Sequence, residues 1–174
     1  VRQVEDELAA LRAEEQALAR LVETAIADIS DPIVDALTVE PGFETALGAA
    51  LGDDLEAAVS EVGDAPVHWL TLPPLADPAA LPDGCRPLSD FVQGPSVLAR
   101  RLSQVGLVET PAAGRAAQEQ LRVGQRLVST DGGLWRWDGF VRQEGSPSAA
   151  AARLEQRNRL ADLRDESEMT EARV

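Results

Sequence analysis

The 174 residues are enough for one domain with its own hydrophobic core, or for a smaller domain with extensions. The formal net charge is −14 and every basic residue is Arg, so the surface repels phosphate and disfavours non-specific nucleic-acid binding. A single Cys85 and a single His68 exclude a disulfide framework and a multi-cysteine metal cluster within one chain. There is no run of 18 apolar residues to span a membrane, and because the chain begins with Val, we expect an internal piece of a longer protein.

The first 29 residues contain neither Gly nor Pro and predict one long helix. Residues at alternating spacings of four and three form a seam that is apolar except for Glu15, which is typical of a coiled-coil arm. An amphipathic helix packed on its own domain is the alternative. The seam consists of Val4, Leu8, Leu11, Glu15, Leu18, Val22, Ala25 and Ile29.

Residues 30–146 predict a globular α/β mixture in two parts, with lobe one over about 30–75. Its predicted elements are the apolar, β-branched stretch 32–39, a helix over 42–52, and strands over 55–62 and 66–72. The stretch 73–95 is rich in Pro, Gly and Asp and predicts a loop, with an inter-lobe linker over about 76–95.

Lobe two is predicted over about 96–146. A helix over 96–105 is expected to begin at Ser96 as its cap, and a buried strand follows over 106–110. Thr110 and Pro111 have the residue types of an N-cap and a first helical position, so the next helix begins there. Two strands then surround Asp131-Gly132-Gly133, which is a hairpin turn signal.

Residues 147–174 predict a second coiled-coil helix after a turn and cap at 145–148. The polar tail after Asp165 is expected to fray. Two such ends around a globular middle predict an antiparallel pair of helices that leaves and re-enters one domain. The predicted seam consists of Ala149, Ala152, Gln156, Leu160 and Leu163.

The sequence contains no pattern that indicates catalysis. No phosphate-binding loop of the G-x-x-x-x-G-K-[ST] type occurs, and no Lys accompanies the glycines of the 42–52 helix. Cys85 and His68 are separated by Pro- and Gly-rich loops and give little basis for a nucleophile–base pair. Asp53 and Asp54 follow a helix at a predicted surface turn, where carboxylates are far more often solvated than catalytic.

Three stretches together resemble the hinge domain of the structural-maintenance-of-chromosomes (SMC) family, specifically a bacterial chromosome-partition condensin. PGFETALGAALGDDLEAAV (41–59) resembles the helix and strand near the hinge start. GQRLVSTDGGLWRWDGF (124–140) resembles its closing strand, turn and glycine-bearing segment, in a variant similar to alphaproteobacterial members. LEQRNRLADL (154–163) resembles the restart of the coil.

The resemblance implies an α+β fold of two lobes of mixed sheet and helices, related by approximate twofold symmetry, with antiparallel coiled-coil helices at both ends. The domain boundaries are then 1–29 for the first coil, 30–146 for the hinge and 147–174 for the second coil. Two hinges are expected to dimerise head to tail, the first lobe of one against the second lobe of the other. ATP and Mg belong to head domains outside this chain, so no cofactor, metal or enzymatic activity is expected here.

Two departures from the family pattern affect these expectations. Many relatives have a glycine-rich run with two Gly pairs after the closing strand, of which only Gly139 and Gly145 remain. A helix common between the two strands of the first lobe is missing, because residues 62–65 join them directly.

The segment rich in Gly and Trp is the candidate dimer interface, because Gly permits close backbone approach and Trp is enriched in interface hot spots. Trp135 and Trp137 should share one face of a strand. The alternative is that they fill the core of lobe two; we expect at least one core Trp, and Gly139 and Phe140 near the contact. The candidate interface residues are Gly132, Gly133, Trp135, Trp137, Gly139, Phe140 and Gly145.

Hinges of relatives can contact DNA through basic surface where the hinge meets the coil. Arg153 and Arg157 form a local positive strip on one helix face, four residues apart. Pairing with nearby carboxylates is the alternative, and the net charge favours weak or no duplex binding. The candidate DNA contacts are Arg100, Arg101, Arg122, Arg126, Arg153 and Arg157, with Arg159 also at the coil restart.

The predicted function is homodimerisation of a hinge that joins the arms of a chromosome-organising SMC ATPase in chromosome condensation and segregation. Expected partners are a second copy, kleisin and accessory subunits of the full-length protein, and weakly chromosomal DNA, in the cytoplasm at the nucleoid and without membrane contact. The alternatives are a basic-patch DNA-binding module at the hinge–coil junction, or a small acidic enzyme or accessory domain unrelated to SMC.

Overall fold

The computed structural model describes residues 9–20, 31–60, 67–145 and 149–171. The helices are α1 (residues 9–20), α2 (Glu44–Leu51), α3 (Ala99–Leu102), α4 (Pro111–Gln118) and α5 (Ala149–Glu171). The strands are β1 (Thr38–Val39), β2 (Ala58–Val59), β3 (His68–Trp69), β4 (Arg86–Pro87), β5 (Val92–Gln93), β6 (Val105–Leu107), β7 (Arg126–Val128), β8 (Leu134–Arg136) and β9 (Val141–Arg142). Short 3-10 helices occupy Ile33–Ala36, Gly52–Glu56, Leu88–Phe91 and Ser96–Leu98.

The strands form three sheets. The largest has five strands in the order β4-β6-β7-β8-β9, in which β6 and β7 run parallel and the other neighbours antiparallel. The other two have two strands each, parallel β2–β3 in lobe one and antiparallel β1–β5. Mixed sheets with separate helices confirm the predicted α+β class.

Local sequence signals place the elements of lobe two. The Thr110 hydroxyl accepts a hydrogen bond from the Ala113 N–H at 3.1 Å, and Pro111 begins α4, as predicted. The β7–β8 hairpin closes where the Ser129 N–H donates to the Gly133 carbonyl at 3.0 Å, and Gly132 has a φ of +86°. The prediction for Ser96 is wrong: its side chain caps nothing, and the short helices over 96–102 end before β6 begins at Val105.

Lobe one has the predicted helix but shorter strands. Helix α2 lies inside the predicted range 42–52, whereas the predicted strand 55–62 begins with part of a 3-10 helix and, in its described residues, pairs only over β2. Of the predicted strand 66–72, the described residues 67–72 pair only over β3. Residues 61–66, which hold most of the strand connection, and the predicted cap at 146–148 lie outside the described residues.

The segment predicted as a linker contains strands. Within 76–95, β4 joins the sheet of lobe two and β5 pairs with β1 of lobe one, so two hydrogen-bonded strands tie the lobes together. Leu88, Phe91 and Val92 of this segment are buried. A strand of two residues is too short to show an alternation of apolar and polar residues. The Pro and Gly content of the segment therefore predicted a loop.

The lobes share one hydrophobic core. The largest cluster of buried side chains includes Ile33 and Leu47 of lobe one, Val105 and Val128 of lobe two, and Leu154 of α5. The lobes therefore pack as one unit, with the first turns of α5 as part of the core.

Helix α5 differs from its predicted seam at both ends. Ala152 is exposed, whereas Ala151 and Leu154 are buried. The tail does not fray at Asp165, because α5 continues to Glu171 with Ser167 and Thr170 buried in the same spacing as Leu160 and Leu163. Of the seam predicted for the first helix, only Leu11, Glu15 and Leu18 lie within the described residues.

The two end helices pair within one chain. Glu14 and Glu15 of α1 form ion pairs with Arg159 and Arg164 of α5, with N–O distances of 3.1 and 3.3 Å. Glu15, the polar residue of the predicted seam, therefore has a cation on the facing helix.

The 23 residues of α5 contain no apolar stretch long enough to cross a membrane, nor does any other described helix.

Candidate dimerisation surface and arm root

Trp135 belongs to the core of lobe two. The side chain is 2% exposed and packs with Val108 and Leu127 in a second buried cluster. Glycine makes room for the ring: a Cβ added to either Gly114 or Gly133 would lie 2.6 Å from an indole carbon. The predicted interface role of Trp135 is therefore corrected, because its ring presents no surface to a second molecule.

Gly132 and Gly133 are buried as well. A Cβ on Gly132 would lie 3.0 Å from the Thr45 methyl group of lobe one, and Gly133 faces the Trp135 ring. Their predicted interface roles are corrected for the same reason. The hairpin turn packs against its own chain.

Trp137 differs from Trp135 in burial. Strand β8 ends at Arg136, and residues 137–139 turn the chain, so the alternation of the strand stops before Trp137. The turn is closed where the Arg136 N–H donates to the Phe140 carbonyl at 2.9 Å, and Gly139 has a φ of +88° with open space around it. Trp137 consequently lies on the surface, 45% exposed.

Three apolar side chains form an exposed patch at this turn, which we call the hairpin patch: Trp137, Phe140 and Val141. Phe140 and Val141 are exposed to a similar extent as Trp137. The Arg136 guanidinium lies 5.2 Å from the centroid of the Phe140 ring and forms an ion pair with Asp138, which holds the turn in shape. Strand β9, which carries Val141, is the terminal strand of the five-stranded sheet.

A second exposed apolar patch lies on lobe one, and we call it the β3 patch: Val67, Leu70 and Leu72. Their exposures are 70%, 49% and 52%. Strand β3 has β2 on one side and, in the part of the chain that the structure describes, no strand on the other. An open groove of about 590 Å³ adjoins the patch and is lined by Leu70 and Leu72 together with Val123 and Arg100.

The arm root lies where α5 packs across α2. Residues Gly48 and Ala151 are in such close contact that a Cβ on Gly48 would lie 2.6 Å from the Ala151 nitrogen. Small residues such as Gly48 and Ala151 let two helices pack closely, and they were the signal for this contact in the sequence. Neither was predicted to lie at a helix crossing.

Arg153 and Arg157 face this root and not solvent. Arg153 is 7% exposed and forms an ion pair with Glu56, and Arg157 donates to the Asp35 carbonyl at 2.8 Å and approaches the Asp35 carboxylate at 3.4 Å. Burial lowers the pKa of Arg157, and the neighbouring Asp35 carboxylate opposes that shift. Their prediction as DNA contacts is therefore corrected, because lobe-one carboxylates occupy these guanidinium groups.

Two further candidate DNA contacts have partners in this chain. Arg101 pairs with Asp54 at 3.3 Å. Arg126 is half-buried and donates to the Ala50 carbonyl, at the end of α2, at 2.6 Å. Burial, and to a smaller extent the nearby cations Arg101 and Arg136, together lower the pKa of Arg126 to about 10. Arg126 is thus a link between the lobes.

The remaining candidates lie on the surface. Arg122 is exposed and Arg100 is half-exposed beside the groove, and neither forms an ion pair within the described ranges. Arg159 is engaged with α1. No group of three or more His, Cys, Asp or Glu side chains is placed to hold a metal ion among the residues with described positions.

The sequence matches the family model described as "SMC proteins Flexible Hinge Domain" over residues 26–118, more than half of the chain. The chain belongs to this SMC hinge family. It is 52% identical over 159 residues to the chromosome partition protein Smc of Cereibacter sphaeroides, covering 91% of this chain. It is 43% identical over 164 residues to the protein of the same name from Rhodopseudomonas palustris, covering 94%. The chain spans only 14% of the length of each relative.

Solved structures confirm the SMC hinge fold. An asymmetric dimer of the Geobacillus stearothermophilus SMC hinge domain matches with a TM-score of 0.62 at 18% identity, over 98% of this chain and 89% of that one. The Pyrococcus furiosus Smc hinge domain with an extended coiled coil matches with a TM-score of 0.53 at 16% identity, over 99% and 77% of the two chains. At these identities the likeness concerns the fold alone.

Proposed function

We propose that this hinge domain is a homodimerisation module that joins the coiled-coil arms of a chromosome-organising SMC ATPase, acting in chromosome condensation and segregation. One observation carries the proposal: two exposed apolar patches lie at sheet edges of different lobes. The Geobacillus stearothermophilus hinge domain was crystallised as an asymmetric dimer, which supports dimerisation.

The hairpin patch of one copy packs against the β3 patch of the other, and twofold symmetry repeats the contact. Strands β3 and β9 both end their sheets, so one edge can pair with the other by strand addition. The exposed side chains then supply apolar area on both sides. Of the residues predicted from sequence, Trp137, Gly139 and Phe140 belong to this interface, whereas the exposed Gly145 lies at the other end of β8, where its N–H donates to the Asp131 carbonyl at 3.0 Å.

In the full-length protein we assign the catalytic chemistry, with ATP and Mg, to head domains beyond this chain, and none of it to the hinge. We keep the boundaries 1–29, 30–146 and 147–174 for arm, hinge and returning arm. Kleisin and accessory subunits bind elsewhere on the full-length protein, at the nucleoid in the cytoplasm. Chromosomal DNA is at most a weak partner. In the described part of the chain Arg101, Arg153 and Arg157 form ion pairs and Arg126 donates to the Ala50 carbonyl, which leaves only Arg100 and Arg122 of the predicted contacts with neither kind of partner.

Sedimentation equilibrium over a wide dilution series tests the dimer. The expected mass is twice that of the 18.5 kDa chain, and Phe140→Asp is expected to shift it to the monomer because the carboxylate has to be desolvated in an apolar contact. Met169→Asp is the matched control, because Met169 is 62% exposed on α5 and outside both patches. A monomeric wild type, or an unchanged dimer in Phe140→Asp, would contradict the proposal.

A further inference from the structure

The returning arm α5 follows lobe two in the chain but packs on lobe one. Its first turns cross α2 at the close contact between Gly48 and Ala151, and Leu154 is buried in the shared core. The β7–β8 hairpin of lobe two also touches α2, through the approach of Gly132 to Thr45 and the hydrogen bond from Arg126 to the Ala50 carbonyl, but α5 is held by its contacts with lobe one. The sequence order of the two elements therefore does not decide which lobe holds the arm.

Polar contacts fix the rotation of α5 about its own axis. They are spread over about one and a half turns of the helix and reach three different elements of lobe one. Any rotation of α5 about its own axis would therefore break some of these contacts. The contacts join Arg153 to Glu56, Glu155 to Thr45 at 2.9 Å, Arg157 to Asp35 at 2.8 Å, and Asn158 to Glu44 at 2.5 Å.

The same contacts lead to the β2–β3 edge. Glu56, the partner of Arg153, ends the 3-10 helix Gly52–Glu56, and β2 begins two residues later. Asp54 of this 3-10 helix accepts a hydrogen bond at its carbonyl from the Trp69 indole of β3, at 2.8 Å. One short helix thus holds α5 on one side and the β3 strand on the other.

We infer that the root of α5 and lobe one form one rigid unit, which transmits the direction of the arm through the 3-10 helix Gly52–Glu56 to the β2–β3 edge. Arg153 and Arg157 are the positioning residues of this unit. The effect of this unit on dimerisation at the β3 patch rests on the proposed dimer contact at that edge.

Distance measurements between spin labels test the rigid unit. In a Cys85→Ser background, labels at the exposed positions 53 and 161 report the distance from lobe one to α5, with labelled chains diluted in unlabelled ones. We expect a narrow distribution that broadens in Arg153→Gln/Arg157→Gln. It should stay narrow in Arg164→Gln, which removes a cation that pairs with α1 instead. A distribution that is broad in the wild type, or unchanged in the double variant, would overturn the inference.

The dimer dissociation constant of the same variants tests the transmission. Loosening the root should weaken the dimer by about fivefold or more, within the usual range of coupling between sites, whereas Arg164→Gln should leave it unchanged. Arg157→Gln alone, at a position less buried than Arg153, replaces the double variant if circular dichroism shows that the latter is unfolded. An unchanged dissociation constant with a loosened root would overturn the transmission. A wild type that is monomeric at every concentration would instead overturn both the proposed function and the transmission to the dimer contact. The spin-label distances would still show whether α5 and lobe one form a rigid unit.

Discussion

Replacing Gly48 by Ala adds one methyl group at the point where α2 and α5 are closest. The new carbon would lie 2.6 Å from the Ala151 nitrogen, 2.7 Å from its Cα and 2.8 Å from its Cβ. Backbone atoms cannot rotate away, so α5 has to move by about 0.8 Å to reach an ordinary contact of 3.4 Å. That movement also disturbs Leu154 and the ion pair of Arg153 with Glu56.

Two effects of opposite sign decide the result. Alanine is favoured over glycine inside a helix by about 1 kcal/mol, so the substitution would stabilise an α2 that packs against nothing. Forcing an extra carbon into a packed core costs about 1–3 kcal/mol, and the displaced polar contacts of the root add to that. We therefore expect the free energy of unfolding to fall by about 1–2 kcal/mol.

The assay is urea unfolding at one fixed protein concentration, because dimerisation makes apparent stability depend on concentration. Ala116→Gly, at an exposed position of α4, gauges helix propensity alone and should cost about 1 kcal/mol. Adding Ala151→Gly to Gly48→Ala should not restore stability, because the clash is with the Ala151 backbone. A rise in stability for Gly48→Ala, or full rescue by Ala151→Gly, would refute the close crossing.

Three further predictions follow from buried contacts. Gly114→Ala should lower the free energy of unfolding by about 1–2 kcal/mol in urea melts, since the contact of its Cβ with the Trp135 ring costs more than alanine gains in helix α4, and a stabilised variant would contradict that packing. Burial raises the pKa of the Cys85 thiol, so iodoacetamide should alkylate it several-fold more slowly than a free thiol peptide near neutral pH, and an equal rate would place it in solvent. Arg126→Met should destabilise by about 1–2 kcal/mol through loss of the bond to the Ala50 carbonyl. The pKa of Arg126 is lowered to about 10 in the folded protein, so above that pH the folded state loses a proton that the unfolded chain keeps. The free energy of unfolding of the wild type should therefore rise relative to that of Arg126→Met from pH 9 to pH 11. A difference that does not depend on pH would contradict this prediction.

The sequence predicts those parts of the fold that depend on neighbouring residues. Thr110 and Pro111 cap and begin α4 using only their own turn of helix, and Asp131-Gly132-Gly133 closes its hairpin in the same local way. The strands β4 and β5 could not be predicted, because each has two residues and finds its partner far away in the chain. Their formation is decided by pairing and not by propensity.

The candidate site shows the same limit. Trp135 and Trp137 differ by two residues, and only the end of β8 at Arg136 places one in the core and the other on the surface. Arg153 and Arg157 look like a free basic strip on an isolated helix, but lobe-one carboxylates neutralise them once α5 packs across α2. Sequence spacing gives the face of a helix, whereas the chemistry on the opposing surface is known only from the fold.

If two copies join through unlike patches, a mixture of two variants that are each defective in a different patch should recover one intact contact. Phe140→Asp damages only the hairpin patch and Leu70→Asp only the β3 patch, so each alone should be monomeric. In a head-to-tail dimer of one chain of each, one contact combines both damaged patches and the other combines two intact ones. We expect the mixture to form heterodimers in sedimentation experiments, with a weaker affinity than the wild-type dimer. A mixture that stays monomeric, or variants that dimerise alone, would contradict it.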